Sequence, residues 1–330
     1  MSPLLEVGDL HVRYRAPARM TELIPGRARR VNRAVNGVSL EVARGESLGL
    51  VGESGCGKST LGRAILRLTP ASAGTVRFDG ENVLAMGRLD LLRFRRRAQM
   101  VFQDPYASLN PRLTVAETLS EVLRVHELCP PNEIPSRVES LMSQVGLATE
   151  LASRRPRSLS GGQCQRVGIA RALAVGAELI VADEPASALD VSIQAQILNL
   201  LILLQRKMGL TLLFISHDLG VVHHLCQRVA VMYLGRIVEE GPTDEVFRNP
   251  RHPYTQALLA AIPRMDPTAT LPGAALPGEP PSPLDVPAGC PFHPRCAHAM
   301  PVCRSGEPPA WRQVNETQVA CHLYPASVIP

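Results

Sequence analysis

Apolar and polar residues alternate along Leu5–Tyr14 (LEVGDLHVRY) and again along Val35–Val42 (VNGVSLEV), the period-two pattern of half-buried strands. Between them Arg15–Arg33 is basic, holds Pro and Gly, and has no periodicity, which predicts a loop. A third apolar run, Glu46–Val51, opens into Gly52, Gly55 and Gly57, after which helical spacing begins over Ser59–Leu68. Strand, glycine loop and helix in that order predict the entry to a parallel α/β core. Leu89–Arg97, Thr114–Leu123 and Arg137–Val145 predict a helical block over roughly residues 90–170. Leu179–Ala182 and Thr211–Ser216 are short continuous apolar runs, as in strands buried on both faces. Val229–Met232 and Arg236–Glu240 flank Tyr233–Gly235 as a hairpin. Beyond Ile262 the pattern stops. Eight prolines fall within Pro263–Gly289, predicting a linker or an arm laid along a surface.

With 330 residues, 45% of them hydrophobic and 20% charged, the chain is globular and large enough for one domain and an appendage. The greasiest stretches, Leu200–Leu204 and Leu210–Ile215, are parted by Gln205, Arg206 and Lys207, so no run reaches the ~18 residues of a membrane span. Glu6 and Asp9 stand among the first ten residues, with no basic-then-apolar leader. The expected location is therefore cytoplasmic, with any membrane role peripheral. A net charge of +5 is too mild to argue for a nucleic-acid partner. Of 35 basic residues only Lys58 and Lys207 are lysines. A lysine kept against such a bias points to a specific task.

That task is legible at Lys58. Gly52-Glu-Ser-Gly-Cys-Gly-Lys-Ser59 fits G-x-x-x-x-G-K-[ST] between a predicted strand and a predicted helix. Glycines let successive N–H groups of Gly52, Ser54, Gly55, Cys56, Gly57 and onward to Thr60 point into one concavity, a cradle for polyphosphate. The helix beginning near Ser59 adds its positive end. Lys58 has the reach for β- and γ-phosphates, and the Ser59 hydroxyl is a ligand for Mg²⁺. The apolar run from Leu179 ends in Asp183, placed to hold Mg²⁺ or its water, and in Glu184, a carboxylate able to deprotonate an attacking water. His217 closes the next apolar run (LLFISHD), within reach of a γ-phosphate.

Leu159-Ser160-Gly161-Gly162-Gln163 reads by itself only as a nest and helix start able to bind an anion. Taken with Gly52–Ser59, Gln103, Asp183–Glu184, Ser187-Ala-Leu-Asp190 and His217, it resembles the ATP-binding cassette (ABC) ATPases, in order and spacing over roughly residues 5–250. The resemblance implies an α/β P-loop NTPase fold with a RecA-like core, an antiparallel β subdomain and a helical subdomain, spanning residues 1–262. It also implies that Tyr14 stacks on adenine, that Gln103 touches Mg²⁺ and the attacking water, that Glu184 is the base, and that His217 senses the γ-phosphate. Ser160, Gly161, Gly162 and Gln163 would serve the nucleotide of an opposing subunit. Gln103–Arg112 (QDPYASLNPR), His252–Pro263 (HPYTQALLAAIP) and Gly289–Cys296 (GCPFHPRC), with Cys303 and the Ala320–His322 ending, are similar to ATPases of oligopeptide and dipeptide importers and their nickel-importing relatives. The long basic loop Arg15–Arg33, before Val35–Val38, resembles that of the second, F-type, of their paired ATPases. Expected partners are another, homologous ATPase as a heterodimer, two membrane-spanning permease subunits and, indirectly, an extracytoplasmic solute-binding protein, with the chain on the cytoplasmic face of the inner membrane. Two alternatives stand beside this reading, a nickel-importer ATPase and a soluble accessory ATPase of the carbon–phosphorus lyase type.

Residues 263–330 form a Pro- and Cys-rich extension. Cys290, Cys296, Cys303 and Cys321 are spaced by five, six and seventeen residues, without the tight C-x₂-C knuckle of common zinc modules. Four loosely spaced thiolates suit an iron–sulfur cube, and the family resemblance points to [4Fe–4S]; zinc, with His293, His298 or His322 substituting, and plain thiols are the alternatives. Cys56, Cys129, Cys164 and Cys226 read as small packing residues.

Overall fold

The computed structural model describes residues 3–15, 30–261 and 278–324. Most of the basic loop (16–29) and of the Pro-rich segment (262–277) lies outside them. In chain order the strands are β1 (Leu5–Arg15), β2 (Val31–Val42), β3 (Ser47–Val51), β4 (Ala73–Phe78), β5 (Glu81–Asn82), β6 (Ala98–Val101), β7 (Leu179–Asp183), β8 (Thr211–Ser216), β9 (Arg228–Tyr233), β10 (Arg236–Pro242), β11 (Arg312–Val314) and β12 (Thr317–Val319). The helices are α1 (Lys58–Ile65), α2 (Arg88–Arg97), α3 (Val115–Val125), α4 (Ile134–Gln144), α5 (Gly161–Ala174), α6 (Val191–Met208), α7 (Leu219–Leu225), α8 (Thr243–Arg248) and α9 (Pro253–Ala260). They divide into a helix-rich unit, Ala43–Glu46 with Ala85–Ile215, and a strand-rich unit, Ser2–Val42 with Ser47–Leu84 and Ser216–Pro330.

In the helix-rich unit β6, β7 and β8 run parallel, Val181 of β7 lying between Met100 and Leu213. Every residue of β7 and β8 is buried, which is why their sequences are continuously apolar rather than alternating. Helices α3, α4 and α5 pack on one another. Thr114 starts α3 with a capping box: its hydroxyl accepts from the Glu117 N–H, and the Glu117 carboxylate accepts from the Thr114 N–H. Glu178, just before β7, is gripped by Arg97 and Arg44, which hold its carboxyl below the usual range. The short strand β6 is a departure from the sequence pattern. It follows α2 without a break, so four residues with no Gly or Pro before them carry no signal of their own.

The strand-rich unit holds an antiparallel sheet ordered β2-β1-β4-β5, with Val7 of β1 opposite Leu40 and Val76. Its second run of strands is ordered β11-β12-β10-β9-β3, in which β9 and β3 are parallel and the other pairs antiparallel. The expected hairpin is β9–β10, turned at Leu234 and Gly235, both at positive φ (42° and 78°) as a right-twisted two-residue turn requires. Tyr233, Tyr254 and Phe292 meet as a buried aromatic trio with centroids 4.6–5.4 Å apart. The chain after the Pro-rich segment therefore helps to fill this unit's core and to extend its sheet.

Candidate nucleotide-binding site

In the strand-rich unit the wholly buried β3 stops at Val51 and the chain turns through residues 52–57 into α1. Gly52, Gly55 and Gly57 all take positive φ (150°, 80° and 110°). A Cβ on Gly52 would meet the Met232 carbonyl oxygen at 2.1 Å, and one on Gly57 the Ala34 carbonyl oxygen at 2.0 Å, so neither position admits a side chain. Ser54 and Gly55 are exposed, while Gly52, Cys56 and Lys58 are buried. Lys58 Nζ donates to the Gly52 and Glu53 carbonyls (2.7 and 2.9 Å) and lies 3.8 Å from Cys56 Sγ. Burial pushes the Cys56 thiol up. Gly57 caps α1 without a side-chain hydrogen bond, and no acid sits in the first turn beside Ser59 and Thr60. No acidic side chain of that turn therefore opposes the positive end of the helix.

Tyr14, on β1 opposite Asn32, is well exposed, as a stacking platform must be. His217 is exposed between β8 and α7, where the Asp218 carboxylate caps α7 by accepting from the Val221 N–H (3.1 Å).

In the helix-rich unit β7 delivers Asp183, 2% exposed, and then Glu184. Glu184 takes φ +46°, a left-handed conformation that costs a bulky residue energy and is held by its N–H donating to the Ile215 carbonyl (3.0 Å). The turn lifts the carboxylate off the strand axis. Gln103, two residues past β6, donates from Nε2 to Glu184 Oε2 at 3.0 Å and to Ser187 Oγ at 3.3 Å. Gln103 thus meets Glu184 and Ser187, more than eighty residues on, at the ends of neighbouring parallel strands.

Ser160 begins α5 with a second capping box: its Oγ accepts from the Gln163 N–H (3.3 Å), and Gln163 Oε1 accepts from the Ser160 N–H (2.9 Å). A Cβ on Gly161 would stand 2.8 Å from Leu189, and one on Gly162 only 2.3 Å from Ile193, so these glycines let α5 approach the start of α6. Tyr106 donates its hydroxyl to the Leu159 carbonyl (3.1 Å). No acid stands in the first turn of α5. The Ser-Gly-Gly run is thus the start of a long buried helix. Cys164 is buried behind it, its thiol pushed up to about 11 by burial, in keeping with a packing role.

In the strand-rich unit Cys290, Cys303 and Cys321 are buried and Cys296 half-buried, all as free thiols. Burial pushes Cys290 up to about 11, and the other three thiols add to that rise. Cys321 is raised by burial and, further, by Cys296 and Cys303. Among the described residues no group of three or more His, Cys, Asp or Glu stands close enough together to hold a metal ion. Neither is any helix among them long and apolar enough to cross a membrane.

The sequence did not point to the partners of Glu53. Its N–H is taken by Tyr254 and its carboxylate by Arg295, contacts spanning 201 and 242 residues that no local pattern encodes.

The profile of the ABC transporter family matches residues 35–187, and that of the oligopeptide/dipeptide transporter C-terminal region matches residues 238–303. A probable peptide ABC transporter ATP-binding protein of Sinorhizobium fredii is 52% identical over 89% of this chain and 83% of its own length. The oligopeptide transport ATP-binding protein OppF of Escherichia coli is 49% identical over 92% of both chains. Among solved structures, an ATP-binding cassette dimer in a post-hydrolysis state with ADP and Pi shares 28% identity and a TM-score of 0.63 over 72% of this chain and 98% of its own.

Proposed function

Because the chain belongs to the ABC transporter family, we propose that it is the ATP-hydrolysing subunit of a peptide importer, with its nucleotide held by residues 52–60. The peptide reading rests on the names of its relatives and on the match to the oligopeptide/dipeptide transporter C-terminal region. Neither the nickel-importer nor the carbon–phosphorus lyase alternative draws support from them.

The observation that carries the catalytic part is the Gln103–Glu184 bond at the end of β7. An amide N–H on one carboxylate oxygen fixes the orientation in which the group can take a proton from water. Glu184 takes that proton as the water oxygen attacks the γ-phosphorus in line and the bond to the ADP oxygen breaks. Lys58 moves its donors from the loop carbonyls to the β- and γ-phosphate oxygens. Ser59, Asp183 and Gln103 are the residues that would hold Mg²⁺, which would supply charge neutralisation to the triphosphate. Tyr14 stacks on the adenine, and His217 donates to the γ-phosphate. Ser160, Gly161, Gly162 and Gln163 present the N-terminal end of α5 to the nucleotide of an opposing ATPase; the dimeric relative with ADP and Pi supports such pairing.

The remaining partners follow the same reading: a homologous second ATPase forming a heterodimer, two permease subunits, and a solute-binding protein reached through them. The chain then works as a peripheral subunit at the cytoplasmic face of the membrane, with residues 1–262 as the cassette and 263–330 as an extension. For Cys290, Cys296, Cys303 and Cys321 we favour a [4Fe–4S] cluster over zinc. The preference rests on four thiols at loose spacing with no C-x₂-C knuckle and on the family resemblance; among the described residues no group close enough to hold a metal ion supports it.

Glu184→Gln tests the assignment. The variant is expected to bind ATP like the wild type while turnover falls by about 10²-fold or more. Unchanged hydrolysis would remove Glu184 as the base. Capture of the tagged chain from native membranes is expected to recover two polytopic proteins and a second ATPase.

A further inference from the structure

Glu53 is an odd residue to find in a loop built for anions. It stands next to Gly52, bears a negative charge, and belongs to the backbone that the triphosphate must approach. Every polar group it has is nonetheless fixed. Its N–H donates to the Tyr254 hydroxyl oxygen at 2.8 Å. Its carbonyl accepts from Lys58 Nζ at 2.9 Å. Its carboxylate accepts both arms of Arg295, Nη1 to Oε2 at 2.7 Å and Nη2 to Oε1 at 3.0 Å. The Arg295 side chain is only 5% exposed and that of Glu53 25%, so the pair is shielded from salt and water far better than a surface bridge.

The two outside partners are themselves anchored. Tyr254 is wholly buried on α9, its ring against Tyr233 and Phe292 and its N–H held by His252 Nδ1 at 3.0 Å. Arg295 sits in the short turn between Cys290 and Cys296, three residues after the buried Phe292. The β9–β10 hairpin is also close to the loop, since the Gly235 N–H donates to the Cys56 carbonyl at 2.9 Å. The glycine-rich loop is thus clamped from the far end of the chain.

We propose that Arg295 and Tyr254 are positioning residues for nucleotide binding. Through Glu53 they hold the phosphate loop in its anion-accepting form, and Arg295 cancels the one charge in the loop that opposes the phosphates. Glycines give the free loop many conformations, and each that is removed before binding no longer weakens affinity. A carboxylate this near the phosphates repels them unless a cation is bound to it, and a guanidinium fork pins the carboxylate in one orientation while neutralising it. The inference rests on the proposal that residues 52–60 bind the nucleotide.

The test is equilibrium binding of the Mg²⁺ complex of adenylyl imidodiphosphate to the full-length chain, with thermal melting of each variant recorded alongside. Arg295→Met is expected to weaken binding about tenfold, the loss of a charge-assisted pair that leaves Glu53 unopposed. Glu53→Gln combined with Arg295→Met is expected to recover to within about threefold of wild type, because the repelling charge has gone as well. Arg295→Lys, which keeps the charge without the fork, is expected to fall between them, and it serves if the Met variant melts too low to assay. Tyr254→Phe is expected to weaken binding about threefold through the freed Glu53 N–H. In the assembled transporter the same changes should raise KM for ATP while kcat holds within about twofold. A merely structural pair would lower the melting temperature without recovery in the double variant. Binding by Arg295→Met within twofold of wild type, or a double variant as weak as the single one, overturns the proposal. Lys58→Ala separates the two levels. If it binds nucleotide like the wild type, the loop itself has been misread; if it loses nucleotide while Arg295→Met does not, only the clamp fails.

Discussion

At the scale of single residues, His252 carries the largest consequence outside the nucleotide loop. It is 1% exposed, and burial depresses its imidazole to about 3. Its Nδ1 accepts the Tyr254 N–H and thereby caps α9, so the folded protein holds the ring neutral. The unfolded chain protonates the same ring near pH ~6.5. Between those two values the unfolded state binds the extra proton, so this contribution to stability is complete above pH ~6.5 and drains away as pH falls. From pH 6.5 to 5 the loss is about 2 kcal/mol, at ~1.4 kcal/mol per pH unit. Urea unfolding at pH 7 and pH 5 measures it. In His252→Asn, whose side-chain oxygen can keep the cap, the difference between the two pH values should shrink by about that amount, whatever the variant's absolute stability. An unchanged pH slope would place the titration elsewhere.

At the scale of elements, the start of α5 shows one helix terminus with two tasks that substitutions can separate. Ser160→Ala deletes the cap and should cost about 1 kcal/mol, a fall of roughly 2–4 °C in Tm. Ser160→Asp replaces one good cap by another and should melt near the wild type. Its carboxylate nevertheless faces whatever anion approaches the helix, so ATP hydrolysis by the assembled transporter should fall about tenfold or more. Equal activity of the Asp variant and wild type would deny this end of α5 a part in nucleotide chemistry.

Elements also show what a sequence can and cannot display. The strand–loop–helix of β3 and α1 was legible because burial writes continuous apolar residues and tight approach writes glycine: a Cβ at Gly52 or Gly57 would stand only 2.0–2.1 Å from a backbone carbonyl oxygen. β7 and β8 were legible for the first of these reasons. Helix α1 was expected to run to Leu68 but stops at Ile65, where the chain turns through Arg67 at φ 51°, a reversal no side chain announces. Strands β11 and β12 have three residues each, shorter than any period can be counted over. Gln103 and Glu184 were each nameable, but their bond arises only from the parallel pairing of β6 with β7. The grip of Tyr254 and Arg295 on Glu53 had no signal, since neither residue differs locally from any other buried Tyr or paired Arg.

At the scale of the whole molecule, the segment after residue 278 is woven into the strand-rich unit in three ways. Phe292 completes its aromatic trio, Arg295 reaches the phosphate loop, and β12 pairs with β10 through Glu239–Val319 and Glu240–Gln318. A chain stopped at residue 310 loses β11 and β12 and leaves the backbone of β10 without a partner on that side. Such an edge invites pairing between molecules. The shortened chain should therefore form concentration-dependent oligomers by light scattering, where the full chain does not; a monodisperse truncated protein would show that β10 tolerates exposure.

The pairing of β10 with β12 also sets a clock on biosynthesis. β10 is complete about eighty residues before its partner is made. At ribosomal speeds of about 5–20 residues per second, the gap lasts ~4–16 s for every copy synthesised. During that interval the nascent chain displays an unfinished sheet beside a half-built core, so the yield of folded protein should depend on crowding on polysomes and on the supply of chaperones as well as on the equilibrium stability of the finished fold.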